Sequence, residues 1–540
     1  MNEIKSAENL FFDALDAYKK NNFKQSKKIL LDVNKIIPNR ESVLVNLMNS
    51  CFMLSEYSEA LAYANKVKKI YPNNKEFVFA VIEIYLRQNR LELAILELNN
   101  LDPKSQEFLI FSSKIAKKVG DFNKYLFFLE KICNQNLKDK SFLKSLIFNL
   151  MYTGPFDKKK YDHYINHYKQ SLTIEKYKNY KLPNKKIVLG FVTQGFDKDP
   201  VIFFLKDIFK HLKDYVELIC YSNSEKEKNI LDQESYFSKW IKTQNLTTDD
   251  LANQIYEDGV TVLFDLSGYT GDHKLEVFFL KPAPIQISWC GMLASTQIKQ
   301  IDYIIIDKFI DKFSYKENFS EKKLFIDNIF CTFSLSSFAN VNLNYKREHT
   351  KTFNYGSWSN PFKINDSVLF AWSEILKKTN NTKLFLNYSN FANDNCKKFF
   401  LKKFLDLGVD TDRLVFNFYK RDDAIARYKD IDLCLDTFPY SGGTTNFEAS
   451  YMDKPILTLQ GSRFVSNSGL SINMNLDNQF LICQDVDEYI NKAIKVSEDK
   501  DLLKKITNNI KSNKFKLFDS KKFTEKLYLN LKNIIEAKFS

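Results

Sequence analysis

The sequence predicts an α-helical repeat solenoid followed by an α/β region of two Rossmann-like halves. Three observations favour this fold class. Apolar, small and proline positions recur in steps of 34 residues near the start of the chain. From Lys185 onward, short apolar runs rich in β-branched residues alternate with helical segments, as in parallel sheets. A glycine pair then separates one such run from a helix-like segment, where open α/β sheets bind ligands.

The repeat predicts pairs of helices. Each unit has an aromatic or apolar residue, a small residue three positions later, and a proline that ends the second helix. These positions are Phe23, Tyr57 and Leu91, then Ser26, Ala60 and Ala94, and then Pro38 and Pro72, with Pro103 and Phe122 following after a step of 31. The pattern is typical of tetratricopeptide repeats, whose concave face commonly binds peptides. The alternative is a solenoid that only packs against the rest of its own chain.

The chain divides into five predicted segments. They are the repeats over 1–135, a helical connector over 136–183, a first Rossmann-like half over 184–310, a linker over 311–348 and a second half over 349–540. The predicted strands are KIVLGFV, VELICYS, VTVLFDL, IQISWC and DYIIID in the first half, and KTFNYGS, KLFLNY, RLVFNF, IDLCLD and PILTLQ in the second. Two such halves predict a ligand in the cleft between them, at the carboxyl ends of the strands.

The composition narrows the possible partners. Lys and Arg exceed Asp and Glu by 79 to 66, a formal charge of +13, which favours an anionic ligand. Arginines form no stripe, so no nucleic-acid partner is expected. The eight cysteines include no C-x-x-C pair, which disfavours a zinc ribbon or a disulfide framework. Without a signal pattern or a membrane-spanning apolar run, a cytoplasmic protein with no membrane span is expected.

The glycine pair lies in DTFPYSGGTTNFEASYMDKP, residues 436–455. Gly442 and Gly443 permit backbone angles that other residues avoid, and Thr444 or Thr445 can cap the helix that follows. The start of a helix is a ready site for phosphate, and Glu448 one turn later can accept hydrogen bonds from sugar hydroxyls. The alternative is an ordinary glycine turn with a threonine cap.

Several other ligand classes are disfavoured. The chain has no G-x-G-x-x-G, no G-x-x-x-x-G-K-[ST] and no G-x-S-x-G, which disfavours dehydrogenases, P-loop NTPases and α/β-hydrolases. Its D-x-D triplet, Asp197 to Asp199, arises easily by chance, so no metal site is predicted there.

Three segments together resemble one family. They are DLSGYTGDHKLEVFFLKPAPIQISWCG, FNYGSWSNPFKIND and DLCLDTFPYSGGTTNFEA, at 265–291, 353–366 and 432–449. In this order, behind tetratricopeptide repeats, they resemble the protein O-GlcNAc transferase and SPINDLY family, including its bacterial members. The resemblance covers most of 185–535. It implies the GT-B fold and a nucleotide-sugar donor used without a metal or other cofactor.

The resemblance also implies roles for individual residues. Lys363, after Asn-Pro-Phe, is expected to neutralise the leaving diphosphate, where charge develops in the transition state. Gly443, Thr444 and Thr445 are expected to hold the pyrophosphate and Glu448 the ribose. Asn360 resembles a polar residue of the donor site, and Arg421 matches a basic residue beside the nucleotide base.

The chain departs from the family pattern at several positions. Asp199 stands where relatives usually have a histidine, and an aspartate can act as a general base if burial raises its pKa. Tyr256 stands where some members have another histidine, and Ala424 where many members have one. Met292–Gln297 replaces the family's Tyr-Pro-Gly-Thr-Ser-Gly loop, which lies near the sugar. His273 is expected to be a local substitution and not a replacement base.

The expected reaction is an inverting transfer of a sugar from a nucleotide diphosphate sugar to protein Ser/Thr or Asn side chains. The donor is UDP-GlcNAc or a related UDP- or GDP-sugar, and the acceptor is a protein or peptide, which the repeat groove can hold. Two alternatives stay open. One is a transferase that acts on a glycan or a small acceptor. The other is a tetratricopeptide scaffold that binds a nucleotide sugar without turnover.

Overall fold

A computed structural model describes residues 2–72, 76–170, 172, 175–178, 180, 186–197, 200–224, 235–347 and 352–540. The chain forms two compact units, Met1–Gln135 and Asn136–Ser540. The predicted fold class, helical repeats followed by two α/β halves, is confirmed.

The first unit consists of paired antiparallel helices. They are α1 (Asn2–Lys19), α2 (Phe23–Ile36), α3 (Glu41–Met53), α4 (Tyr57–Ile70), α5 (Glu76–Arg87), α6 (Leu91–Leu98), α7 (Gln106–Val119) and α8 (Phe122–Gln135). The repeating small residues Ser26, Ala60 and Ala94 are each at most 1% exposed. Small side chains let helices approach closely, which explains why the repeat keeps them.

The second unit begins with the connector. It contains α9 (Lys140–Asn149), a 3₁₀ turn (Leu150–Tyr152) and α10 (Lys158–Gln170), which coincides with KKKYDHYINHYKQ. One side of α10 is buried through Tyr161, Tyr164, Ile165 and Tyr168. The connector helices therefore pack into the second unit and form part of its core.

The first half contains a parallel sheet of seven strands in the order β3-β2-β1-β4-β5-β6-β7. They are β1 (Val188–Thr193), β2 (Glu217–Ser222), β3 (Lys239–Lys242), β4 (Val262–Asp265), β5 (Ile285–Ser288), β6 (Tyr303–Ile305) and β7 (Lys322–Leu324). Its helices are α11 (Ile202–Leu212), α12 (Thr248–Glu257) and α13 (Lys308–Phe313). The segment expected as a linker over 311–348 thus contributes β7 to this sheet.

The second half contains a parallel sheet of six strands in the order β10-β9-β8-β11-β12-β13. They are β8 (Phe353–Ser357), β9 (Thr382–Asn387), β10 (Leu414–Asn417), β11 (Leu433–Leu435), β12 (Ile456–Leu459) and β13 (Ile482–Cys483). Its helices are α14 (Asp366–Lys378), α15 (Asp394–Asp406), α16 (Arg421–Ala426), α17 (Thr444–Tyr451), α18 (Ser468–Asn475), α19 (Val486–Glu498), α20 (Lys500–Asn513) and α21 (Ser520–Phe539).

One hydrophobic core joins the two halves of the second unit. It extends from Leu189 in β1 to Ile535 in α21. Phe523 of α21 stacks on Trp289 of the first half, with ring centroids 5.9 Å apart. The last helix of the second half is thereby anchored on the first. In the part of the chain that the structure describes, no helix combines the length and apolarity needed to cross a bilayer.

Candidate functional site

A strand, a loop and a helix form the centre of the candidate site. After β11 the chain reaches Asp436, which is 2% exposed and accepts hydrogen bonds from the loop, from α17 and from β12. Its donors are Ser441 Oγ at 2.5 Å, Gly442 N at 2.7 Å, Asn446 Nδ2 at 3.1 Å and Thr458 Oγ1 at 2.8 Å. One buried carboxylate thus fixes the course of the loop that leads into α17.

The glycine pair provides space and not unusual φ angles. Neither Gly442 nor Gly443 has a positive φ, but Gly443 has φ −94° and ψ −94°, outside the main regions that other residues occupy. A Cβ on Gly442 would lie 2.7 Å from Asn446 Oδ1, which leaves no room for a side chain. A Cβ on Gly443 would meet nothing within 4 Å. Gly443 therefore leaves open space directly before the helix.

The start of α17 has no side-chain cap. Gly443 is the N-cap residue, so the prediction that Thr444 or Thr445 caps the helix is wrong. Both threonines are instead the first residues of the helix and line a cavity. Because the first N–H groups of a helix have no partner within it, they are available to an anion in this cavity.

Lys363 contacts the same loop from the segment that follows β8, the strand next to β11 in the sheet. It ends a 3₁₀ turn (Pro361–Lys363) whose N-cap, Asn360, accepts a hydrogen bond from Phe362 N at 3.0 Å. The Lys363 ammonium donates to Ser441 O at 2.9 Å. Burial lowers the pKa of Lys363 to about 8, and attraction to Asp436 opposes this shift. The ammonium is thus a half-buried positive charge beside the start of α17.

These groups share one cavity of about 420 Å³. The predicted catalytic residue Lys363 and four of the predicted donor-binding residues line it, namely Asn360, Gly443, Thr444 and Thr445. The first half contributes Gln194, Pro200, Val201, Phe204, Thr270, Cys290, Gly291 and Leu293. The cavity therefore lies between the two halves, near the carboxyl ends of β1, β4, β5 and β11.

The structure places Arg421 and Glu448 beside each other. Arg421 Nη2 lies 3.1 Å from Glu448 Oε1, and Arg421 Nη1 donates to Ser337 O at 2.8 Å. The Arg421 guanidinium also lies 3.8 Å from the centre of the Phe203 ring. Burial raises the pKa of Glu448 to about 7, although Arg421 favours the charged form. Neither residue is among the described residues that line the 420 Å³ cavity.

The positions that depart from the family pattern differ in their surroundings. Asp199, the candidate base, lies outside the described residues. Tyr256 is 37% exposed and stacks on Tyr177, and Ala424 is buried. His273 is buried, and its Nδ1 accepts a hydrogen bond from Leu275 N at 3.0 Å. Burial lowers the pKa of His273 to about 3, so it is a neutral, structural histidine.

The replaced loop Met292–Gln297 is held by two glutamates. Glu321 accepts from Ser295 Oγ at 2.6 Å and from Thr296 N at 2.8 Å. Glu317 accepts from Ser295 N at 3.2 Å. Leu293 of this loop lines the cavity, so the loop forms part of the wall despite its changed sequence.

Sequence reasoning missed an aromatic wall of the cavity. Phe148 and Tyr152 come from the connector, while Tyr440 lies in the loop between β11 and α17. Tyr440 stands within the quoted glycine-rich segment, so its position next to the ligand loop could have been inferred. Nothing in the local pattern around Phe148 and Tyr152 indicates a site, because their contact with the loop is made only in the folded chain.

Comparison with known proteins gives a consistent family match. The family described as glycosyl transferase family 41 matches residues 165–337 and 347–527. The "Probable UDP-N-acetylglucosamine--peptide N-acetylglucosaminyltransferase SPINDLY" of Solanum lycopersicum is 28% identical over 360 residues, 65% of this chain and 39% of that protein. The SEC protein of Arabidopsis thaliana, with the same activity in its description, is 24% identical over 364 residues, 64% of this chain and 36% of that protein.

The chain spans less than half the length of these curated relatives. Among solved structures, a mutant of the Thermobaculum terrenum O-GlcNAc transferase matches with a TM-score of 0.76 at 19% identity. The match covers 100% of this chain and 99% of that one. It shows that the two proteins share a fold.

Proposed function

This chain belongs to glycosyl transferase family 41, and we propose that it transfers a sugar from a nucleotide diphosphate sugar to protein side chains. The donor is UDP-GlcNAc or a related UDP- or GDP-sugar, and the acceptor is a Ser/Thr hydroxyl or an Asn amide. One observation carries the proposal. The Lys363 ammonium and the uncapped start of α17 face the same cavity between the two halves.

Lys363 and the start of α17 stabilise the departing diphosphate in this proposal. Negative charge grows on the bridging and terminal phosphate oxygens as the glycosidic bond breaks. A half-buried ammonium and the positive end of a helix dipole oppose that charge without reorganising. They supply the charge that a metal would otherwise bring, so the proposed reaction needs no metal ion. The acceptor attacks the anomeric carbon opposite the diphosphate, which inverts its configuration.

The remaining donor-site residues have supporting roles. Asn360 presents its side chain to the cavity, and Arg421 and Glu448 serve the base and ribose of the nucleotide. The Glu448 carboxylate is already paired with Arg421. A ribose hydroxyl that binds to Glu448 must therefore share this carboxylate with Arg421. Arg421 can keep its contact with Ser337 O meanwhile.

The acceptor hydroxyl must lose a proton, and we propose that Asp199 or a chain of waters accepts it. Asp199→Asn removes the carboxylate base while keeping the size of the side chain. Asp197→Asn is the matched control, because Asp197 is an exposed aspartate two positions away. If kcat falls in Asp199→Asn but not in Asp197→Asn, the Asp199 carboxylate is the proton acceptor. If the two variants are equally active, water accepts the proton.

A peptide acceptor in the repeat groove and a cytoplasmic reaction complete the proposal. All eight cysteines are free thiols, which fits a reducing compartment. The resemblance implies that some members have a histidine at the position of Tyr256 and many have one at that of Ala424, and the missing histidines favour a second candidate function. The chain would then be a scaffold that binds the nucleotide sugar without turnover.

The test uses the full chain, a panel of UDP- and GDP-sugars and a lysate of the host. Mass spectrometry detects sugar added to host proteins, and donor hydrolysis is measured in parallel. Lys363→Ala is expected to lower kcat by about 100-fold or more, as for other groups that stabilise developing charge. Lys402→Ala, an exposed lysine on α15, is the matched control.

Four outcomes are informative. Transfer that needs Lys363 but not Lys402 supports the proposal and identifies the sugar. Retained transfer in Lys363→Ala overturns the role of this lysine. Donor binding with neither hydrolysis nor transfer by the unmodified protein establishes the scaffold, and sugar added only to glycans or small molecules establishes the other acceptor class.

A further inference from the structure

The ammonium of Lys363 lies against an aromatic ring that no motif singled out. Lys363 Nζ is 4.2 Å from the centre of the Tyr440 ring, within the range of a cation–π interaction. The Tyr440 ring in turn stacks on the Tyr152 ring, with centroids 4.6 Å apart and planes inclined by 19°. Lysine, Tyr440 and Tyr152 thus form a column, and all three line the cavity.

The outer member of the column comes from the connector, about 290 residues before Tyr440 in the sequence. Tyr152 ends the 3₁₀ turn that follows α9 and is 7% exposed. Phe148 of α9 holds Tyr152 from the side, with its ring perpendicular and 5.6 Å away. The connector also touches the loop at Gly154, where an added Cβ would lie 3.3 Å from Pro439 Cγ. The connector therefore packs closely on the residues next to Tyr440.

A lysine side chain needs such support to act from a fixed position. Its four-carbon stem rotates freely, and its three N–H groups accept many geometries. In this structure the Lys363 ammonium donates a hydrogen bond to Ser441 O at 2.9 Å, and the Tyr440 ring packs against another side of the ammonium. The face of an aromatic ring attracts a cation most strongly where water is excluded. The ring therefore favours both the position and the charged form of the ammonium.

We propose that Tyr440 and Tyr152 are positioning residues for Lys363, so that the connector's α9 and the turn after it form part of the active site. Tyr440 holds the ammonium towards the start of α17, and Tyr152 holds the Tyr440 ring flat against it. The catalytic consequence rests on the proposed transferase function. The effect on Lys363 itself does not, since it exists in the protein without donor or acceptor.

The titration of Lys363 provides a direct readout. Its charged neighbour is Asp436, and the other titratable groups around the cavity are Tyr152, Tyr388, Tyr440, Cys290 and Cys331. Burial lowers the pKa of Lys363 to about 8. Loss of the ring removes an attraction to the charged form, so the pKa should fall further, by about 0.5 to 1 pH unit.

The experiment measures how fast acetic anhydride acetylates Lys363 at different pH values. The folded full-length chain is labelled and then digested, and mass spectrometry of the peptides quantifies acetylation at Lys363. Tyr440→Leu and Tyr152→Leu remove one ring each, whereas Tyr440→Phe and Tyr152→Phe keep the ring. Tyr528→Leu is the matched control. Tyr528 stacks on Tyr215 with ring centroids 4.8 Å apart, and neither residue is among the described residues that line the cavity. Circular dichroism establishes that each variant is folded.

We expect the titration of Lys363 to move to lower pH in both leucine variants and to stay unchanged in both phenylalanine variants and in Tyr528→Leu. If transfer is detected, the leucine variants should lose about tenfold in kcat with little change in KM for the donor. An unchanged titration in folded Tyr440→Leu overturns the proposal. If Tyr440→Leu does not fold, an unchanged titration in Tyr152→Leu overturns it equally. If the titration shifts but no transfer activity is detected, the positioning of Lys363 by Tyr440 and Tyr152 is supported. Only the proposed transferase function is then contradicted.

Discussion

At the scale of single residues, Lys363 makes the proposed activity depend on pH. Its pKa is lowered to about 8 because burial disfavours the charged form. Only the protonated ammonium can neutralise the diphosphate. Activity that depends on it is therefore fully present well below pH 8 and lost as the pH rises through this value. We expect kcat/KM for the donor to fall about tenfold per pH unit above roughly pH 8.

The measurement is a profile of kcat/KM between pH 6 and 10 at constant ionic strength. Lys363→Arg serves as the comparison, because a guanidinium stays charged throughout this range. Its residual activity should lack the alkaline decline. A flat profile up to pH 10 in the unmodified protein would contradict the assignment, as would an identical decline in Lys363→Arg.

The site residues differ in how well the local sequence pattern predicts them. Lys363 and the Gly443–Thr445 turn stand in short segments with distinctive neighbours, so the pattern marks them directly. Tyr152 has no such neighbours, and its role follows from a contact that only the packed connector creates. The pairing of Arg421 with Glu448 is also tertiary, because α16 and α17 are separated by the whole of β11 and its loop. Local patterns do not record such contacts.

At the scale of elements, the turn between β11 and α17 depends on Asp436. Asp436→Asn places an amide group where the carboxylate accepts several hydrogen bonds, and a buried donor is left facing other donors. Each unsatisfied buried group costs about 1–3 kcal/mol. We expect a loss of stability of this size and a loss of nucleotide affinity of about tenfold or more, measured by urea unfolding and by calorimetry with UDP and GDP.

Asp432→Asn is the matched control for this prediction. Asp432 lies before the same strand at its opposite end and accepts from Asn354 N at 2.8 Å and Arg347 Nη1 at 2.6 Å. Its substitution should lower stability without weakening nucleotide binding. Equal losses of affinity in the two variants would mean that the strand as a whole, and not the carboxylate at its end, shapes the turn.

The strands show which elements a sequence reveals. The ten predicted strands are short apolar runs, several of them rich in β-branched residues, and all ten are present in the two sheets. Three further strands, β3, β7 and β13, were not predicted. They lie at sheet edges and are only two to four residues long, and lysine occupies half or more of the positions in KWIK and KKL. Such short polar segments lack the periodicity on which the prediction depends.

At the scale of the whole second unit, the halves are held together by more than apolar packing. Arg463 belongs to the second half, and Glu317 to the segment 311–348 that follows the first half. Arg463 Nε lies 3.3 Å from Glu317 Oε2. Both side chains are almost fully buried, at 6% and 4% exposure. The Arg463 guanidinium also stacks on Phe156 of the connector, 3.6 Å from the ring centre. One residue thus joins three segments of the chain.

Removal of one member of this pair should be costly. Arg463→Met keeps much of the side-chain volume but leaves the Glu317 carboxylate buried without its partner, which costs about 3–5 kcal/mol. Lys377→Met is the control, because the ion pair of Lys377 with Glu374 at 2.5 Å is partly exposed and such pairs contribute about 0–1 kcal/mol. The midpoint of urea unfolding, followed by tryptophan fluorescence, measures both.

The double variant Arg463→Met with Glu317→Gln should recover part of the loss, since it removes the unpaired charge. Equal midpoints for Arg463→Met and Lys377→Met would show that packing around Phe156 and the shared core, and not this ion pair, holds the segments in place.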